Sequence, residues 1–157
     1  NFKRINNMKN SIIGRRKTRE LIVQFLFQNE FNPIPVNKAL SYFWEDNKII
    51  EKEKTFAEKL INGVLEKKDE LDKILSNYTN NWKTERLGSV DLIVMRIALF
   101  EILHCDDVPP IVAINEAVHF ANDLSSFQSG KFVNGVLDSI LHELDYPQKT
   151  STNSNDQ

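Results

Sequence analysis

The sequence predicts an all-α protein of six to seven helices with a bundle-on-bundle core. Three observations lead there. Apolar residues recur at helical rather than alternating spacing along most of the chain. The five prolines fall outside the apolar-periodic stretches of the first 145 residues, where they would end a helix rather than interrupt one. A polar, Asn-rich stretch at 76–83 (SNYTNNWK) divides the chain roughly in half and marks the expected seam.

The first helix is expected from about residue 15 to 29, with Leu21, Ile22, Phe25 and Leu26 on its apolar face. Pro33 and Pro35 close it. A short helix at about 37–46 buries Leu40, Phe43 and Trp44. A long one starts near Glu51, with acids in its first turn to suit the helix dipole. Its buried face is Phe56, Leu60, Val64, Leu71, Ile74 and Leu75.

In the second half, Thr84 is the expected N-cap of a helix running to about Cys105. Its apolar residues cover most of the circumference, which makes it the central buried element. Asp106, Asp107, Val108, Pro109 and Pro110 break the chain. Helices at about 112–124 and 129–144 follow. The first buries Ile114, Ala117, Val118 and Ala121; the second buries Phe132, Val133, Val136, Leu137, Ile140 and Leu141. Residues 1–14 read as a flexible basic arm, 15–144 as the helical domain with sub-bundles at about 15–76 and 84–144, and 145–157 as a disordered tail.

Composition limits the functional classes. The 157 residues fit one domain, and 41% hydrophobic with 27% charged is ordinary for a globular chain. No apolar run reaches membrane-spanning length, and no secretory signal is read at the N-terminus. With a single cysteine, Cys105, no intramolecular disulfide forms, and a cytoplasmic location is expected. Cys105 follows His104, but successive helical residues point about 100° apart, so the two do not make a nucleophile–base pair. His104, His119 and His142 fall on three different helices without metal-ligand spacing. Neither phosphate loops nor hydrolase motifs occur. No enzymatic activity, cofactor or metal is expected.

Two features remain. Arg96 lies inside the apolar run VDLIVMRIALFEIL and needs a partner, with Glu101 and Glu116 as candidates. The other is charge. Net charge is −2, yet residues 1–20 hold seven cations and one acid, so a +6 segment precedes 137 residues that carry −8. Arg15, Arg16, Lys17 and Arg19 would crowd the first turn of the first helix, where the macrodipole disfavours them. A bound anion would relieve that penalty; a solvated charge run is the other reading. Four phosphate contacts to a single strand would give a log–log salt slope of about −2.8.

GRRKTRELIVQFLFQNEF resembles the arginine-rich opening helix of the NusB family. DLIVMRIALFEIL, VPPIVAINEAV and KFVNGVLD match that family's pattern at the right mutual distances, and the resemblance covers residues 14–144. It implies two packed three-helix bundles. It also implies a transcription antitermination factor that binds boxA-type single-stranded RNA jointly with NusE, a small-subunit ribosomal protein. That complex acts within the transcription elongation machinery, chiefly on ribosomal RNA operons. By resemblance, Arg15, Arg16, Lys17, Arg19, Tyr78, Lys131 and Phe132 contact RNA, and Asp91 contacts the protein partner. Phe132 also lies in an apolar stripe, so core and stacking readings both stand. Gln128 stands where the family often has an acid. Two alternatives remain: the same module occurs fused to RNA cytosine methyltransferases, and a helical adaptor need touch no RNA.

Overall fold

A computed structural model describes the backbone of residues 2–79 and 89–152 and the side chains of 3–4, 14–79 and 90–145. The described residues form seven α-helices and no strand. They fall into two compact units, residues 1–67 and 68–157.

The first unit holds three helices: α1 (Phe2–Phe31), α2 (Val36–Asp46) and α3 (Glu51–Glu66). The expected start near residue 15 is corrected, because α1 begins at Phe2. Residues 2–13 contain no proline or glycine, and Gly14 inside a helix costs only about 1 kcal/mol. Pro33 and Pro35 follow the end of α1, and Pro35 is the N-cap of α2. α1 packs on α3. Leu21, Ile22, Phe25 and Leu26 from α1, Leu40 and Phe43 from α2, and Ala57, Leu60, Ile61 and Val64 from α3 are buried. Phe25 and Phe43 meet edge to face with centroids 5.3 Å apart. Trp44, half-buried, donates its indole N–H to Glu58 at 2.9 Å.

The second unit holds α4 (Lys68–Ser76), α5 (Ser89–His104), α6 (Pro110–Leu124) and α7 (Phe127–Thr152). The single long helix expected from residue 51 is two. Lys67 caps α3 through its N–H to Gly63, and α4 restarts one residue later as part of the second unit. The division therefore falls before α4 and not at 76–83. Thr84 lies outside the described residues. α5 is buried from Ile93 to Glu101, as its all-round apolar pattern requires. α6 contributes Ala113, Ile114, Ala117, Phe120 and Ala121, and α7 contributes Val133, Val136, Leu137 and Ile140. Phe132 and Leu141 are half-buried. α7 continues through residues 145–152, read from sequence as tail.

Candidate functional site

The cation cluster lies mid-way along α1, so the first-turn penalty inferred from sequence does not arise. Helical geometry sorts the four cations. At about 100° per residue, Arg15 and Arg19 lie only about 40° apart, while Arg16 and Lys17 point elsewhere. Arg15 turns toward α3. Its Nε lies 3.1 Å from Glu53 Oε2, and its guanidinium sits 3.7 Å from the Phe56 ring centroid. Arg19 is buried, with its guanidinium 5.3 Å from the same ring. Thr18 Oγ1 is within 2.7 Å of Glu53 Oε2 and 2.9 Å of the Gly14 carbonyl, and its one proton serves either acceptor. Glu53 also occupies the first turn of α3, where the dipole favours an acid. Arg16 and Lys17 are exposed. Lys17 makes a surface pair with Glu20 at 3.7 Å, a kind of contact worth little in water.

The sequence reading missed Glu53 and the role of Phe56. The available signal was a pair of complementary spacings. Arg15, Thr18 and Arg19 (i, i+3, i+4) form one stripe on α1, and Glu53 and Phe56 (i, i+3) form one on α3.

The remaining expected residues belong to the second unit. Tyr78 is half-buried and donates its hydroxyl to Glu143 on α7. That hydrogen bond to a carboxylate, then burial and the Glu143 charge, pushes the phenol up to about 12. Asp91, in the first turn of α5, is buried, and its Oδ1 has no hydrogen-bond partner. Burial raises its carboxyl above the ordinary range; a hydrogen bond from Ser129 opposes the rise. The Ser126 hydroxyl accepts the Ser129 N–H at 3.1 Å and so caps α7. The Ser126 and Ser129 hydroxyl oxygens also lie 3.1 Å apart. Lys131 is exposed and reaches back over the Phe127 ring, Nζ to centroid 5.1 Å.

Arg96 is held by a partner the sequence reading did not name. Its Nε and Nη2 bond the two carboxylate oxygens of Asp72 at 2.7 and 2.8 Å, a bidentate fork that ties α5 to α4. Among the described residues, no group of three or more His, Cys, Asp and Glu side chains could hold a metal. No helix among them is long and apolar enough to cross a membrane.

An all-helical fold with a mid-helix cation cluster, half of it anchored and half on the surface, defines the class: a small helical bundle protein with a charged outer face. Comparison with known proteins narrows the class. The NusB family model matches residues 16–142. The transcription antitermination protein NusB of Methylacidiphilum infernorum is 41% identical over 133 residues, covering 84% of this chain and 93% of that protein. The crystal form of T. maritima NusB superposes with a TM-score of 0.75 at 36% identity, over 82% of this chain and 91% of that one. A chain from the complex of antitermination factors NusB and NusE with double-stranded RNA shares the fold, with a TM-score of 0.72 at 22% identity, over 81% and 95%. This chain belongs to the NusB family of transcription antitermination proteins.

Proposed function

We propose that this protein binds boxA-type single-stranded RNA jointly with NusE and, within the elongation complex, keeps RNA polymerase transcribing ribosomal RNA operons. It does so as a binding factor that turns over no substrate. The observation that carries this reading is the sorting of the α1 cations. Glu53 and Phe56 hold Arg15, and Phe56 lies under Arg19, while Arg16 and Lys17 stand on the surface. In this arrangement Arg16 and Lys17 take phosphates directly, and Arg15 and Arg19 fix α1 against α3. Lys131, Phe132 and Tyr78 supply further RNA contacts, by charge and by stacking. Asp91 serves the protein partner.

The test is a salt titration of binding to boxA-like RNA with NusE present. Two phosphate contacts contribute about −1.4 to the log–log slope, or roughly seven-fold weakening from about 50 to 200 mM salt. Replacing Arg16 and Lys17 with alanine should flatten the slope by that amount and weaken all RNAs alike, since phosphate contacts carry no sequence information. An unaltered slope and affinity in the double variant would remove RNA from this face of α1.

A further inference from the structure

The ring of Phe127 is 69% exposed, although it opens a helix whose next aromatic, Phe132, is half-buried. A phenyl ring left this open loses the burial that normally justifies it. Its position is nonetheless firmly held. Ser126 caps the first turn of α7 by accepting the Ser129 N–H. Gly130 packs so closely on α6 that a Cβ there would lie 1.8 Å from Asn122 Oδ1. The ring partner of Phe127 is a cation, the Lys131 ammonium one turn on. The first turn of α7 carries no acid, so its backbone N–H groups and Lys131 give the ring a positive surround. Two carboxylates stand near this turn: Asp123 at the end of α6 lies 3.2 Å from His119, and Asp91, buried, accepts a hydrogen bond from Ser129.

We infer that Phe127 is a base-stacking platform. An unpaired RNA base lies on its ring, and Lys131 swings from the ring to the adjoining phosphate. The inference rests on the RNA-binding reading above and names a residue which that reading lacks. An exposed ring beside an exposed ammonium is the pairing that single-strand binders use, because every base has a stacking face and every nucleotide a phosphate. Phe132, half-buried, has less ring surface to offer than Phe127. Leu124, 49% exposed at the end of α6, adds apolar surface to the same corner. A protein partner is therefore the competing occupant.

The experiment measures boxA-like RNA, with 2-aminopurine at successive positions, binding to the full chain with NusE present. Phe127→Ala should weaken binding about 5- to 150-fold, the range for loss of one stacked base. It should abolish the fluorescence quenching at one position and leave the salt slope and melting temperature unchanged. Phe127→Trp should restore both affinity and quenching. Unaltered RNA affinity in Phe127→Ala, beside a wild type that binds, would overturn the platform while sparing the RNA reading. Loss of NusE binding without loss of RNA affinity would assign this corner to protein docking. A wild type that binds no RNA would overturn both.

Discussion

Asp91 illustrates how one side chain couples stability to pH. Burial raises its carboxyl above the ordinary value of 3.8, so the folded state holds the proton more tightly than the unfolded chain does. The sign follows from linkage. The stability Asp91 contributes is fully present below the unfolded value, and it is lost as pH rises through the raised folded value. Asp91→Asn keeps the shape and never ionises. Relative to wild type, the variant should gain stability across that window and level off above it, as read by urea unfolding at stepped pH. A difference independent of pH would mean that the charge is not penalised where it sits. Sequence placed Asp91 within the central helix, but it could not reveal the burial or the missing hydrogen bond. Both depend on elements distant in the chain.

Between elements, the Arg96–Asp72 fork is the clearest device. The Arg96 side chain is 8% exposed and that of Asp72 36%. Asp72→Ala leaves a guanidinium buried without its fork. The cost should be about 2–3 kcal/mol, below the ~3–5 of a fully buried pair because Asp72 reaches solvent. A loss under about 1 kcal/mol in denaturant unfolding would make the fork an ordinary surface pair. The need for a partner was legible in the apolar run around Arg96; its identity was not. Asp72 lies on a helix that the sequence merges with α3, since Val64 and Leu71 keep the apolar stripe in phase across the break at Lys67. No glycine or proline marks that break. It reflects two stretches of one apolar stripe serving different units.

For the whole molecule, the charge split between a +6 start and a −8 remainder allows an anion and a protein partner on one small chain. If RNA and NusE bind together as proposed, linkage requires reciprocity: NusE must tighten RNA binding by the factor by which RNA tightens NusE. Calorimetric titrations in both orders check this, and unequal factors would mean that a further species, such as a second copy of the chain, takes part. Residues 16–142, matched by the family model, span both units, so neither unit alone carries the family pattern.

By itself the sequence determined the helical class, the buried character of α5, the cation cluster and the family, because periodicity, charge and motif spacing are written locally. It erred at the start of α1 and at the break after Glu66, where nothing in the residues signals a stop. The tertiary structure alone decided which cations are anchored on Glu53 and Phe56 and which stay on the surface, that Asp72 holds Arg96, and that Phe127 lies open while Phe132 is half-buried. Each of these is a choice among chemically equivalent partners. It is made by which faces pack together, and contacts between residues far apart in the chain leave no periodic trace in the sequence.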